Sequence, residues 1–250
     1  MWHHAVMGEP YYRRDLSLVH HLGFGFHADR CAPGLLRLLE PILETGGAVL
    51  ELGCGSGLLT RHLVDAGHRV IATDASPAML ELTSENVPGV EEIRQIVLPD
   101  DPLPMADAVV SVGHVLNYLP NAQALERGLL AAAAALRPAG LLAVDVCDLE
   151  YGRRRQDEGR LLGRMGENWA IVLEISVPAP DRLVRTMATF LPNEDGSWRR
   201  DDEVHDNVLI DAAQLPALLA GAGISADLGV SFGAETLPAG LMTVIGRRHP

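Results

Sequence analysis

Residues Val49-Leu50-Glu51-Leu52-Gly53-Cys54-Gly55-Ser56-Gly57 run an apolar segment directly into three glycines at alternate positions, and Leu58-Leu59-Thr60-Arg61-His62-Leu63 continue with helical spacing. A strand that ends in such a turn brings backbone close to whatever lies above it, because glycine has no Cβ to clash. The helix that follows points unused N–H groups at the same place. This is the first strand–helix unit of a parallel sheet, and it restricts the chain to an α/β architecture.

The rest of the first 147 residues fits that restriction. Short apolar runs at 48–52, 69–73, 92–98, 106–112 and 140–146 alternate with helical stretches at 57–66, 77–83 and 122–136. Strands of this kind are buried on both faces and crossed over by helices. Before them, Gly34 to Ile42 reads as a helix, and residues 1–34 as a helical lid ahead of a core at 35–147. After Cys147 a polar, Arg-rich link at 151–160 leads into β-favouring segments at 169–177, 182–191 and 197–210, separated by turn residues such as Asn193-Glu194-Asp195-Gly196. An antiparallel insertion over 160–208 is therefore expected. Residues 209–250 return to a helix (211–222) and two strands (224–231 and 240–247).

The ligand of the glycine turn is narrowed by what is missing. A dinucleotide fingerprint needs G-x-G-x-x-G, but counting from Gly53 the last position is Leu58, and counting from Gly55 it is Thr60. No Gly-Lys-Ser/Thr follows, so a phosphate-binding P-loop fails as well. Glu51 would repel a pyrophosphate and suits a cationic amino-acid group. Asp74 ends the second apolar run, Val70-Ile71-Ala72-Thr73, where a carboxylate can accept both hydroxyls of a ribose. Ala75-Ser76-Pro77 then opens a helix, with Ser76 as its cap and Met79 placed to lie against a base.

The chain resembles the class I S-adenosylmethionine-dependent methyltransferases. The resemblance rests on VLELGCGSG (49–57), VIATDASPAML (70–80), ADAVVSVGHVLNYL (106–119) and LRPAGLLAVDV (136–146). It implies a doubly wound, seven-stranded, mostly parallel sheet whose last strand is antiparallel, here Leu241–Gly246, with the antiparallel β insertion between strands 5 and 6. It implies S-adenosyl-L-methionine as cofactor, with S-adenosyl-L-homocysteine as product. It assigns cofactor contacts to Glu51, Gly53, Gly55 and Asp74; Cys54, Gly57, Ala75, Met79, Val112 and Gly113 are the further expected cofactor residues. The family's acid at the end of strand 3 has no fixed equivalent here; Asp100 is the first candidate and Asp101 the second. Within the family, the small-molecule branch (sugar-amine and glycine N-methyltransferases) carries such an insertion as a wall of the acceptor site.

Methyl transfer asks the protein mainly to align the acceptor and exclude water, with a base where the acceptor must lose a proton. Two histidines are candidates for catalysis. His114 follows the fourth strand beside Gly113, with Asn117 and Tyr118 close behind, and either faces the acceptor, caps the loop or packs against the cofactor. His205 shares one strand parity with Glu203 and Asn207, giving a face of acid, imidazole and amide. That face either lines the acceptor site or is a solvated edge. At the N-terminus Tyr11, His21 and His27 are candidate lid residues in a polar–aromatic cluster that also holds Tyr12 and His20.

Composition sets the remaining limits. With 20 Lys and Arg against 33 Asp and Glu, the formal net charge is −13, which opposes the phosphate contacts of nucleic-acid binding. No Asn-Pro-Pro-Tyr or Asp-Pro-Pro-Tyr motif is present. There is no apolar run long enough to span a membrane and no signal-peptide pattern. The three cysteines are too few and too scattered for a disulfide framework. The histidines match no metal-ligand spacing, so no metal is expected. The expectation is a cytoplasmic enzyme, monomer or homodimer, that methylates a nitrogen or oxygen of a small polar molecule. Two other classes stay open: an NAD(P)- or FAD-linked oxidoreductase, and a non-catalytic adenosyl-cofactor-binding or interaction protein.

Overall fold

A computed structural model describes residues 11–158 and 160–250. Within them, helices α1 (Arg14–Gly23) and α2 (Phe26–Glu44) lead to β1 (Ala48–Leu52), α3 (Leu58–Asp65), β2 (Arg69–Asp74), α4 (Pro77–Asn86), β3 (Glu92–Gln95), β4 (Ala106–Ser111), α5 (Ala122–Ala134) and β5 (Leu136–Cys147). Then come α6 (Leu149–Glu158), β6 (Arg160–Met165), β7 (Ala170–Ala179), β8 (Arg182–Pro192) and β9 (Trp198–Val208). The chain closes with α7 (Leu215–Gly221), β10 (Ile224–Gly229) and β11 (Leu241–Arg248).

The main sheet has seven strands in the order β10-β11-β5-β4-β1-β2-β3. Its pairings are parallel except where β11 runs antiparallel to both β5 and β10. Strand alternation sends the apolar side chains to two cores. Leu50, Val109, Leu142 and Val144 pack with α5 and α7 through Leu125, Leu129 and Leu219. Val49, Ala108, Val110 and Ala143 pack with α2 and α3 through Leu35, Leu39 and Leu63. Every residue of β1 is buried, as a central strand with both faces covered requires.

The insertion is a separate four-stranded antiparallel sheet, β6-β7-β8-β9. It has one strand more than the three segments read from sequence, because Arg160–Met165 pairs with β7. Helix α1 packs on it through Leu16 and Val19 against Trp169, Ile171, Met187 and Leu191. The Arg-rich stretch read as a link is helical instead. The Asp148 carboxylate accepts from the Glu150 N–H, and Arg153 and Arg154 both pair with Glu150 one turn away. Strand β3 is also shorter than expected, ending at Gln95. Helix α2 runs unbroken from Phe26 to Glu44, across position 34. Of the lid expected over 1–34, residues 1–10 lie outside the described residues.

Candidate functional site

The carboxyl ends of β1, β2, β4 and β5 open onto one cleft, with β4 and β2 on opposite sides of β1. This is the point at which the winding of a doubly wound sheet reverses, where its ligands bind. The glycine turn forms the floor. Gly53 and Gly55 both have left-handed backbone, with φ of 65° and 57°. Their surroundings differ. A Cβ on Gly53 would sit inside the Val115 side chain, whereas a Cβ on Gly55 would meet nothing within 4 Å. A Cβ on Gly113 would also meet nothing within 4 Å. Gly53 is glycine for packing, while the space beside Gly55 and beside Gly113 is open.

Asp74 fixes the glycine turn from the side. Its Oδ2 accepts from the Gly55 N–H at 2.9 Å, and its Oδ1 from the Ser76 N–H at 2.8 Å. One carboxylate thus joins the glycine turn to the start of α4, where Ser76 Oγ caps the Met79 N–H. Met79 is buried, and Ala75, half-buried, accepts from Gln95 through its carbonyl. Glu51 lies beneath the turn, 2% exposed, and accepts from Thr60 Oγ1 at 2.7 Å. Burial pushes its carboxyl up to about 7, against the pull of the Thr60 hydrogen bond. Cys54 is buried against Thr83, and Gly57 sits at the N-terminus of α3. Asp100 and Asp101 are exposed on the turn beyond β3, where Asp101 accepts from the Val97 N–H.

The N-terminal segment covers the cleft. His21 Nδ1 lies 3.0 Å from Ser56 Oγ in the glycine turn. The Tyr12 carbonyl accepts from Ser76 Oγ at 2.6 Å, and the Tyr12 and Arg13 N–H groups donate to the Glu203 carboxylate on β9 at 2.9 and 2.8 Å. Tyr12 holds a left-handed φ of 61°, a strained conformation for a tyrosine that these contacts fix. His27 on α2 pairs with Asp145 at 3.0 Å.

Asp145 is fully buried on β5. Its two oxygens accept from the Gly113 N–H at 3.0 Å and the His114 N–H at 2.6 Å, in addition to the contact with His27. It therefore sets the backbone of the turn after β4, with His114 at a left-handed φ of 50°. Val112 is half-buried in the same turn. His114 Nε2 is 3.2 Å from Arg185 Nη2. A guanidinium nitrogen can only donate, so Nε2 accepts and the proton of the neutral ring sits on Nδ1. Burial, then the Arg185 charge, holds this imidazole well below its usual range. Asn117 is wholly occupied by backbone: its amide nitrogen donates to the Cys147 and Val208 carbonyls and its oxygen accepts from the Cys147 N–H. It ties the turn to β5 and β9 and has no donor left for a ligand.

The insertion presents Glu203, His205 and Asn207 inward, at 5%, 1% and 1% exposure, so this face is buried rather than a solvated edge. His205 Nε2 contacts Glu203 Oε2 at 2.9 Å. That carboxylate already receives two backbone N–H groups, as an ionised acceptor does, so Nε2 donates and the lone pair lies on Nδ1. The rings of Tyr11, Tyr12 and Tyr118 surround His205 at centroid distances of 4.6, 4.8 and 5.5 Å. Burial lowers the His205 pKa, opposed by its bond to Glu203. Asn207 Oδ1 accepts from Arg185 Nη1 at 2.6 Å, and the Tyr118 and Tyr12 hydroxyls meet at 2.8 Å. His20, close to Tyr12, is pushed down to about 4 by burial. The Nδ1 atoms of His20, His114 and His205 are all buried without a hydrogen-bond partner.

Thus Glu51, Gly55, Asp74 and Gly113 line or support one cleft, and Tyr11, His114, Tyr118, Glu203, His205 and Asn207 form a polar wall next to it. Sequence reasoning missed Asp145, Arg185, Tyr12 and His20 as site residues. For Asp145 a signal existed: it is the sole carboxylate inside the apolar run Leu141–Val146. Among the described residues no group of three or more His, Cys, Asp or Glu is arranged to hold a metal ion. Among the same residues, no helix is long and apolar enough to cross a membrane.

A glycine turn at the winding reversal with an acid after the second strand is where α/β domains of this kind bind nucleoside-containing cofactors. Residues 49–140 match the family model of the methyltransferase domain. A ribosomal protein L11 methyltransferase of Alteromonas mediterranea is 30% identical over 52% of this chain and 45% of its own length. The chain therefore spans less than half of that relative. The sugar N-methyltransferase KedS8 of Streptoalloteichus superposes with a TM-score of 0.77 at 20% identity, covering 100% of both chains. CalS10 of Micromonospora echinaspora, an amino pentose methyltransferase solved with S-adenosylmethionine bound, gives 0.68 at 18% identity over 98% of this chain and 100% of that one. Residues 49–140 are thus similar to a methyltransferase domain, and the described residues have the class I S-adenosylmethionine-dependent methyltransferase fold.

Proposed function

We propose that the protein transfers a methyl group from S-adenosylmethionine to a nitrogen or oxygen of a small polar metabolite. The observation that carries this reading is the open space beside Gly55 and beside Gly113, with the Asp74 carboxylate bonded to the Gly55 N–H. When bound, S-adenosylmethionine supplies a methyl group already activated by a positively charged sulfur. Asp74 would hold the ribose hydroxyls, and the main chain of Gly53–Gly55 and Val112–Gly113 would approach the rest of the molecule. Glu51, buried under the turn, would supply negative charge toward its cationic end. Likeness to the sugar N-methyltransferase and the amino pentose methyltransferase favours an amine as acceptor.

The polar wall would position that acceptor. Of its two candidate bases, His205 is the better placed. Its Nδ1 carries the lone pair, Glu203 stabilises the imidazolium that forms, and the lowered pKa leaves the ring neutral at pH 7. His114 has its Nε2 lone pair committed to Arg185 and its proton on Nδ1, so it would donate to an acceptor rather than deprotonate it. The N-terminal segment, fastened through Tyr12 and Arg13 to Glu203, would exclude water.

Calorimetric titration with S-adenosylhomocysteine and with NAD tests the cofactor. Binding of the first and not the second supports the reading, and the reverse would establish the oxidoreductase alternative. Turnover with a panel of small amines and alcohols then separates an enzyme from a non-catalytic cofactor binder.

A further inference from the structure

The site holds a cation that the transfer chemistry does not use. Arg185 projects from β8 into the polar wall, half-buried, and its hydrogen bonds go to Asn207 Oδ1 at 2.6 Å, His114 Nε2 at 3.2 Å and the Tyr118 hydroxyl at 3.4 Å. All three partners are neutral. Among the described residues no carboxylate pairs with it, although Arg13, Arg69, Arg94, Arg182 and Arg199 all have one. A guanidinium withdrawn from water without a counter-charge is unfavourable, and its planar fork matches carboxylate or phosphate oxygens. A second, independent observation lies beside it. The Nδ1 atoms of His114, which touches Arg185, and of His205, directly across the strand pair, are buried without partners. The Nδ1–H of His114 is thus a further donor awaiting an acceptor. Since the chain as a whole is strongly acidic, at −13, its general field repels anions, and this cluster is a local exception to it.

We infer that the methyl acceptor carries an anionic group, a carboxylate or a phosphate ester, which Arg185 binds as the specificity-determining contact of the acceptor site. This rests on the methyltransferase reading above and deepens it. Arg185 would hold the anion with a charge-assisted fork, His114 Nδ1–H would add a neutral hydrogen bond, and Asn207 and Tyr118 would keep the guanidinium in place. The reacting amine or hydroxyl would then lie toward His205, the cross-strand neighbour of Arg185.

Matched ligand pairs test this in protein saturated with S-adenosylhomocysteine. Glucosamine against glucosamine 6-phosphate reports on a phosphate, and ethylamine against β-alanine on a carboxylate. In at least one pair the charged member should bind the wild type about tenfold more tightly or better, the size of one charge-assisted contact. Arg185→Met should reduce that preference to less than about twofold, and Arg185→Lys should retain part of it. Affinity for S-adenosylhomocysteine, measured on the same samples, should stay near wild type and shows that each variant is folded. Equal binding within both pairs, or a preference that survives Arg185→Met, would overturn the inference. Failure of S-adenosylhomocysteine itself to bind would instead remove the methyltransferase reading, and the same pairs measured without it would still decide whether Arg185 selects an anion.

Discussion

Arg185 and His205 stand directly opposite each other on β8 and β9, in register and on the same face of the insertion sheet. Directly opposed side chains on one sheet face are close neighbours. A fixed positive charge thus lies next to the imidazole proposed as the base. Together with burial it keeps that imidazole neutral, while Glu203 on the other side opposes the effect.

His205→Ala should lower kcat by about 10²–10⁴-fold, the range for loss of a general base, with S-adenosylhomocysteine affinity unchanged. Glu203→Gln gives the sharper readout. Glu203 raises the His205 pKa, so its neutralisation should move the acid limb of the kcat profile to lower pH. The sign follows from the need for the neutral ring: activity is present above the His205 pKa and lost as pH falls through it. An acid limb that stays in place in Glu203→Gln would show that another group titrates.

His114→Ala should leave that acid limb intact. Its ring accepts from Arg185 and is held neutral well below its usual range, so its loss removes a hydrogen bond and loosens the guanidinium. The expected effect is a rise in acceptor KM larger than the fall in kcat. A fall of several hundredfold in kcat with unchanged KM would return the base to His114.

Asp74→Ala should weaken S-adenosylhomocysteine binding by about 1–3 kcal/mol through loss of hydrogen bonds to an ionised group. The same carboxylate holds the Gly55 and Ser76 N–H groups, so Tm should fall as well. Calorimetry on a folded variant decides it, and unchanged affinity would exclude Asp74 from the cofactor site.

Two glycines of one turn should fail differently. Gly55→Val places its side chain in open space, so the fold should survive with a left-handed strain of about 1–2 kcal/mol while cofactor affinity collapses. Gly53→Val collides with Val115 and should lower Tm far more. Thermal melts and titrations of the pair check this; equal loss of Tm in both would contradict the open space at Gly55.

Glu51 makes the ligand-free protein sensitive to pH. Its carboxyl is raised by burial from the usual 4.5 to about 7, so the folded state binds the proton more tightly than the unfolded chain. Its stabilising contribution is complete below 4.5 and is lost as pH rises through about 7, a change of about 3 kcal/mol over that window. Urea unfolding of the wild type and of Glu51→Gln should diverge across this range, with the variant flatter. Parallel curves would mean that Glu51 is ionised throughout.

The sequence alone determined the parallel α/β core, because local chemistry encodes it. An apolar strand ending in Gly53 and Gly55, a strand ending in Asp74, and a Ser76-Pro77 helix start each state their own role within a few residues. The parity of Glu203, His205 and Asn207 was legible for the same reason, since alternation is a property of one strand. Only the tertiary structure decided which way that face turned and what stood against it. Tyr12 and Glu203 are 191 residues apart, His27 and Asp145 are 118 apart, and Arg185 meets His114 from 71 residues away. Helical or strand periodicity carries no record of such pairings. Nor does it reveal tautomers: the proton on His114 and the lone pair on His205 are fixed by Arg185 and Glu203, partners that only the folded chain supplies.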